Sequence, residues 1–496
     1  MDMSANVTRR WVEHVQVKGW TERTAFHADG REWTYAEMFE SAAKVAAGYR
    51  SRNLPAGARV ALALPDGVQM VWCLLGAWQA GLVAVPVNVQ MSRDDLIRDV
   101  TTTEPALIVV DPDIAGAFDS TRPAAIVEVE SLMDKEPDGE YTASGEDAAL
   151  AVFTSGTTGA PKLCFIRHQD ISAPSGPGLL AGPDTVGLAT ASMCSTSGLY
   201  ASVFTTFEAG QTAVLSRQRL SPSAAVELIR RHGVTIVIAP PSLLARVLFE
   251  PGHAEVLGEV RQVFSVGEVL SPALRGRLLP VLGPKLVNLY GSTEVGMIAV
   301  GPVAAFGTSS AVGPPLPGRA VRVVDAYDRE LPIGDSGELH VRVPLATRGV
   351  TRGSVGPDIA LDTWWRTGDL ASLDEHGVVH VYGRIDDIEV VGGKNVDPSE
   401  IERLLQTHPR VLEAAVTSVR REAGDTSLRA HVVPFGEAIP EDGGRVDSED
   451  KLVEELMELL SSKLSWYKVP EDVVWVKALP RNANGKLLRH ALRAMS

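Results

Sequence analysis

Cysteine and net positive charge are both scarce in this chain, and each shortage narrows what it can do. Its three cysteines, Cys73, Cys164 and Cys194, lie far apart and form no CxxC pair. That argues against a zinc site and a disulfide framework, and suits a reducing cytosol. The net charge of −15 leaves no general basic surface for nucleic acid or anionic lipid, so an anionic ligand needs a local site. The start, "MDMSANVTRRWVEH", lacks the apolar centre of a signal peptide, and "LRAMS" at the other end is no lipidation or peroxisomal address. A cytoplasmic location is expected. One uncharged run, "MVWCLLGAWQAGLVAVPVNV" from Met70 to Val89, is long enough to span a bilayer. Gly81 interrupts it where helix-like spacing gives way to β-branched residues, and Pro86 ends it, so the pattern predicts a buried helix followed by a core strand rather than a membrane span.

What is present describes a large globular protein. Apolar residues make up 45% and charged residues 22% of 496 positions, which is ordinary for a folded chain of about three folding units. From Arg59 onward, strand-like "RVALALP", "LVAVPV" and "ALIVVD" alternate with helix-like "SRDDLIRDVTTT", the rhythm of a mainly parallel sheet covered by helices. A second such set follows Ala189, where "ELIRRHGVTIVIAPPSLLARVLF" reads helix, strand, proline stop, helix. After Gly313 short strands broken by Gly, Pro and Asp suit a small antiparallel or barrel-like unit. A third compact region begins near Asp387, with helix patterns "PSEIERLLQTH" and "EDKLVEELMELLSSKLSWY" between short strands.

The densest chemistry lies in "FTSGTTGAPKLC", Phe153 to Cys164. Glycines and hydroxyl residues after an apolar strand allow a sharply turning backbone whose N–H groups converge on an anion. The NTPase pattern GxxxxGK[ST] does not fit: counting from Gly156, the second glycine position is Pro161, and Leu163 follows the lysine where a magnesium-binding hydroxyl would be. On these residues alone, a phosphate cradle and a solvated polar loop stand equally open.

The surrounding motifs decide between them. "TSGTTGAPK" resembles the signature loop of the adenylate-forming superfamily, which comprises acyl-CoA synthetases, peptide-synthetase adenylation domains and luciferases. "SVGEVL", "NLYGSTE", "GEL", "WWRTGDL", "YGRIDDIEVVGGKNVDPSEIE" and "PRNANGK" follow in the family's order, from about residue 25 to the end. The resemblance implies an α/β fold: a large N-terminal region of two αβ sheets plus a β-barrel (residues 1–385), carrying a small mobile α+β C-terminal domain (386–496) hinged at Asp386.

It also implies roles. A carboxylate attacks the α-phosphorus of ATP and expels pyrophosphate, so like charges approach and the site must supply cations and backbone donors. By resemblance, Thr154, Ser155, Gly156, Thr157, Thr158 and Gly159 embrace the β- and γ-phosphates together with Lys162. Glu294 would hold Mg2+, and Lys486 would reach the α-phosphate and carboxylate during adenylation. Taken singly, Glu294 is a loop acid and Lys486 a solvated lysine; their motifs give them roles. Val266, Gly267, Glu268 and Tyr290 would flank the adenine, with Asn288, Gly291, Ser292 and Thr293 in the same nucleotide-binding set. Asp369 would accept from the ribose hydroxyls, and Arg384 would lie beside ribose and phosphate. After a rotation at Asp386, "VVGGKNVDP" would face the site and leave a path for a pantetheine thiol.

For the acid, the implied pocket comprises Ser195, Thr196, Gly198, Leu199, Gly291, Val295 and Gly296. Peptide-synthetase adenylation domains place an Asp there to pair with an amino group, yet none occurs from Thr185 through Val260. Ser195 stands where relatives carry an aromatic or histidine gate. A bulky, cyclic or aromatic acid without an amino group is the expected substrate, and coenzyme A the expected acceptor. A stand-alone enzyme that loads an acyl carrier protein is the alternative. A non-catalytic nucleotide-binding relative is disfavoured because the phosphate loop, Glu294, Asp369 and Lys486 are all present. No feature asks for luciferase-type oxidation. No nucleic-acid partner is expected, and a monomer or homodimer fits equally. Leu163 replaces a glycine frequent in the family, which puts the exit of the phosphate loop in question.

Overall fold

The computed structural model describes residues 2, 4–118, 124–154, 162–171, 182–342, 350–351, 364–391, 394–420, 426–435, 447–481 and 487–494. The alternating apolar runs become two large sheets. A seven-stranded sheet is built in the order Val350–Thr351, Lys162–Arg167, Ala148–Thr154, Val83–Pro86, Arg59–Ala63, Leu107–Val110 and Ala125–Glu128. Its five strands from Ala148–Thr154 to Ala125–Glu128 pair in parallel. Those at its core are buried on both faces, which is why they read as continuous rather than alternating apolar runs.

The charge-free run divides as its pattern predicts. Val68–Gln79 is a helix with nearly every side chain buried, and Val83–Pro86 is a core strand. Gly81 makes the turn between them at φ +73°, a conformation that suits glycine. Gly76 lets this helix press against Tyr35–Arg50: a Cβ there would come within 2.8 Å of Val45 and 2.9 Å of the Ala42 carbonyl. Among the described residues no helix is long and apolar enough to cross a membrane.

The second sheet has eight strands, ordered Gly296–Pro302, Leu286–Ser292, Gln262–Val266, Ile236–Ala239, Val186–Ala189, Thr212–Val214, Thr24–Ala28 and Arg31–Thr34. It is parallel except at its two edges. The unit expected after Gly313 is a five-stranded antiparallel sheet that includes Ala320–Val324, Gly337–Arg342, Trp364–Leu373 and Val379–Arg384. The C-terminal region packs helices Pro398–Gln406 and Asp447–Lys463 with a three-stranded sheet around a core of its own, including Ile401, Leu405, Leu452, Leu456 and Leu460.

Contacts at Arg277, Phe249 and Arg481 are among those that seat this region on the rest. Arg277 donates to the carbonyls of Gln406, His408 and Val411 at 3.4, 3.3 and 2.8 Å, placing a cation at the carboxyl end of Pro398–Gln406, where the helix dipole favours one. Phe249 and Phe435 meet edge to face at 4.5 Å. The contact at Arg481 belongs to the cavity described below.

Candidate active site

Open α/β sheets bind ligands beyond the carboxyl ends of their strands, and the motifs converge there. A cavity of about 1160 Å³ runs from the eight-stranded sheet to the C-terminal region. Val266, Gly267, Glu268, Asn288, Tyr290, Gly291, Ser292, Thr293, Glu294, Asp369, Arg384 and Asp386 all line it. Glu294 has no protein hydrogen-bond or ion partner among the described residues and is only half-buried.

One wall is a polar knot. Asp369 lies in the strand Trp364–Leu373 opposite Arg384. Its Oδ1 accepts from Arg384 Nη1 at 2.9 Å and its Oδ2 from the Tyr290 hydroxyl at 2.5 Å. Burial, and then the neighbouring carboxylate, push the Tyr290 phenol well above its ordinary range, so it stays a donor. Gly368 adopts φ +70°, and a Cβ there would meet Arg384 Nη2 at 2.9 Å, which explains glycine in "TGD". A carboxylate has about four lone-pair positions, more than these two bonds use.

Glu268 closes another side. Ser242 donates to it through both backbone N–H and hydroxyl, each at 3.0 Å. Arg481 reaches across from the C-terminal region, its Nη1 donating to Glu268 Oε1 at 2.6 Å and its Nη2 to Glu413 Oε2 at 2.8 Å. Burial pushes the Glu268 carboxyl up despite these partners. Neither Ser242 nor Arg481 was legible as a partner in the sequence, since Arg481 lies 213 residues away.

The residues expected to line the acid pocket divide. Ser195, Thr196, Gly291 and Gly296 line the cavity, whereas Gly198, Leu199 and Val295 do not. Leu199 and Val295 are packed into hydrophobic cores. Gly198 packs on the preceding turn, where a Cβ would fall 2.0 Å from the Ser192 carbonyl oxygen. Ser195 is the N-cap of the short helix Thr196–Leu199, its Oγ accepting from Gly198 N at 3.2 Å and donating to the Ser192 carbonyl at 2.7 Å. Thr196 Oγ1 lies 3.1 Å from Thr293 Oγ1, tying this helix to the "YGSTE" loop.

Sequence reasoning missed a carboxyl. The segment from Thr185 to Val260 holds no Asp, but Asp66, from the turn after strand Arg59–Ala63, reaches the same cavity. Its Oδ1 accepts from Ser192 Oγ at 3.0 Å and Met193 N at 3.1 Å. Burial pushes its pKa up to about 6. The local segment lacks an Asp, as its sequence shows, and the fold supplies one from elsewhere.

Ser155, Gly156, Thr157, Thr158, Gly159 and Lys486 lie outside the described residues, as do Gly392 and Gly393. Thr154 and Lys162 face each other across antiparallel strands Ala148–Thr154 and Lys162–Arg167, so the phosphate-loop sequence joins a hairpin rather than a strand and a helix. Leu163 is fully buried, paired with Phe153 and packed with Val83, Val85, Ala151 and Phe165. A core site therefore accounts for leucine where the family frequently has glycine.

Two sheets meeting at a nucleotide-sized cleft, roofed by a separate C-terminal domain, define an adenylate-forming enzyme. The family model for AMP-binding enzymes matches residues 13–353 and that for the AMP-binding enzyme C-terminal domain matches residues 400–486; the chain belongs to this family of AMP-forming ligases. It is 34% identical to the p-hydroxybenzoic acid–AMP ligase FadD22 of Mycobacterium tuberculosis over 99% of this chain and 69% of that protein. It is 28% identical to the fatty acid–[acyl-carrier-protein] ligase ScoC of Streptomyces coeruleorubidus over 97% of each. Among solved structures it is similar to ATP-bound MatB from Rhodopseudomonas palustris, with a TM-score of 0.84 and 26% identity over 99% of both chains.

Proposed function

We propose that the protein activates an aromatic carboxylic acid as its acyl-adenylate, with release of pyrophosphate, and then transfers the acyl group to the phosphopantetheine thiol of coenzyme A, breaking the acyl–phosphate bond and releasing AMP. The observation that carries this reading is the single cavity that joins the Asp369–Arg384–Tyr290 knot, Glu268 and Glu294 to an apolar recess beside Ser195 and Thr196. The p-hydroxybenzoic acid–AMP ligase relative supports an aromatic acid, and the ATP-bound structural relative supports ATP as the nucleotide.

In this reading Asp369 takes the ribose hydroxyls, with Tyr290 and Arg384 holding its carboxylate in place. Val266 and Gly267 border the adenine beside Glu268. Lys162, Lys486 and Arg384 offset the charge that builds as the carboxylate oxygen bonds to the α-phosphorus and the bond to pyrophosphate breaks. Glu294, open to the cavity and without a protein partner among the described residues, fits a hard cation shared with phosphate oxygens, and Mg2+ bound there would neutralise phosphate charge.

The division at residues 1–385 and 386–496 belongs to the same proposal. Arg384 is tied to Asp369 on one side, and Arg489 grips Asp387 at 3.2 Å and Glu402 at 2.5 Å on the other. Ile385 and the exposed Asp386 lie between these anchors and would carry the rotation.

A carrier protein as acceptor is the second reading, favoured by the ScoC relative. Pyrophosphate release across a panel of aromatic, aliphatic and amino acids, followed by mass detection of thioesters on coenzyme A and on a phosphopantetheinylated carrier, tests both. Activation confined to amino acids, or none with any carboxylic acid, would overturn the first step; thioester on the carrier alone would select the second acceptor.

A further inference from the structure

One face of the eight-stranded sheet forms the apolar floor of the recess. Ile236, Ile238, Phe264 and Leu289 line the cavity from adjacent strands. In register with Ile236 on the next strand is Gly187, which presents bare backbone, and there the side chain of Gln211 fills the space: a Cβ on Gly187 would lie 3.2 Å from Gln211 Nε2 and 3.3 Å from Oε1. The parallel register pairs Ile236 with Gln262 and Leu289 with Val266. Strand rise therefore sets the Gly187–Ile236 row about 13 Å below the row from which the adenine and "YGSTE" loops spring. Gln211 thus sits at the end of the recess away from the adenine and "YGSTE" loops.

Ser202, Thr205 and Gln211 all line the cavity there and are each less than a tenth exposed. Their protons are already committed. Ser202 Oγ donates to the Gly198 carbonyl at 2.6 Å and Thr205 Oγ1 to the Ala201 carbonyl at 2.8 Å, bonds that accompany the π-helical turn Tyr200–Phe204. Gln211 Nε2 donates to the same Ala201 carbonyl at 2.9 Å and to Thr205 Oγ1 at 2.6 Å. A carbonyl can only accept, so the amide nitrogen must face Ala201, and Oε1 is left with no hydrogen-bond partner among the described residues. The patch therefore offers lone pairs and no free proton.

We propose that Gln211 is a specificity-determining residue whose Oε1 accepts a hydrogen bond from a hydroxyl or amino group on the acid's ring, remote from the carboxyl. The inference rests on the aromatic-acid reading above and narrows it: the ring substituent must donate. A methyl group in its place covers Oε1 with nothing to pair it, and a methoxy group brings lone pairs against lone pairs.

An unpaired buried acceptor is the kind of defect that separates a substrate from its isostere by about ten- to a hundredfold. The test is kcat/KM for pyrophosphate release with 4-hydroxybenzoate and 3-hydroxybenzoate, each against its methyl counterpart, in wild type, Gln211→Met and Asp66→Asn. Comparing two acids on one protein sample cancels any loss of folded enzyme. The expected result is a hydroxyl preference of about ten- to a hundredfold in wild type that falls to within about threefold in Gln211→Met and persists in Asp66→Asn. Wild type without the preference, or Gln211→Met retaining it, overturns the role of Gln211 while leaving aromatic-acid activation standing. Loss of the preference in Asp66→Asn alone moves the acceptor to Asp66 and overturns it equally. If none of the four acids releases pyrophosphate, the aromatic-acid reading falls and this inference with it.

Discussion

Arg481 bridges two parts of the chain that, on the proposed mechanism, separate for the second half-reaction, so its removal should damage one half-reaction and spare the other. It is joined to Glu413 within the C-terminal region and to Glu268 across the cleft. It also pairs with Leu487 in an isolated antiparallel bridge, next to Lys486 in the chain. The Arg481 and Glu268 side chains are only 15% and 18% exposed. Removing one member of a buried pair costs about 3–5 kcal/mol, which at about 1.4 kcal/mol per decade sets a ceiling of about two to three and a half decades on the loss of adenylation rate in Arg481→Met. Glu268 has an escape: it can take up a proton, since burial already pushes its carboxyl up. Arg481 and Glu413 face Glu268 from the C-terminal region, and Ser242 and Arg219 from its own side. In the variant the carboxylate is charged and deprived of its partner above its raised pKa and neutral below it, so the defect should be largest at high pH and shrink as pH falls. Single-turnover adenylation, followed by pyrophosphate release from pH 6 to 9, reads this directly, and thioester formation from supplied acyl-adenylate provides the comparison. Glu268→Gln in the same background should recover part of the rate, by the logic of a double-mutant cycle. Equal loss in both half-reactions, or a defect that grows on acidification, would refute the reasoning.

Lys486→Ala is expected to lower adenylation by about 10²–10³ while sparing thioester formation from supplied acyl-adenylate, measured in the same two assays. Asp386→Pro is expected to leave adenylation and block thioester formation, because proline fixes φ between the anchors at Arg384 and Asp387; near wild-type thioester formation would place the pivot elsewhere. Ser195→Trp removes the N-cap of Thr196–Leu199 at a cost of about 1 kcal/mol and fills cavity space, so kcat/KM should fall for ring-containing acids and hold for short linear ones. His168 is buried with its pKa pushed down to about 4 by burial. The unfolded chain, near 6.5, binds more protons between those values, so stability should be fully present above about pH 6.5 and fall by about 3 kcal/mol as pH drops toward 4. Denaturant titrations of wild type and His168→Gln measure the difference, which should vanish in the variant.

The fold was legible wherever one element carried its own pattern. Gly81 and Pro86 divided the charge-free run into Val68–Gln79 and Val83–Pro86 without tertiary information, and the βα rhythm from Arg59 announced strands buried on both faces. Motif order brought Asp369, Arg384, Tyr290, Glu268 and Glu294 to one cavity. Side-chain direction was less legible. Leu199 belongs to the same short segment as Ser195 and Thr196, yet it is packed in the core while they line the cavity, and a segment read as a pocket lining cannot show which of its side chains are wet.

Partners brought from distant elements were not legible at all, and the chemistry of the recess depends on them. Asp66 and Ser192 are 126 residues apart, and no local pattern marks the aspartate of "LPDG" as a neighbour of the acid pocket. Gln211 follows the left-handed glycine that ends Thr205–Ala209, a position that reads as a helix stop leading into a strand. Its significance comes from Gly187 across the sheet and from Ala201, 10 residues back, whose carbonyl orients the amide. On the proposed reading, an amide on an apolar floor whose own protons are already committed makes the recess selective for the protons a ring carries rather than for its bulk alone. That selectivity is a property of the sheet register, which positions Gly187 beside Ile236, as much as of any residue in the motifs that reveal the reaction.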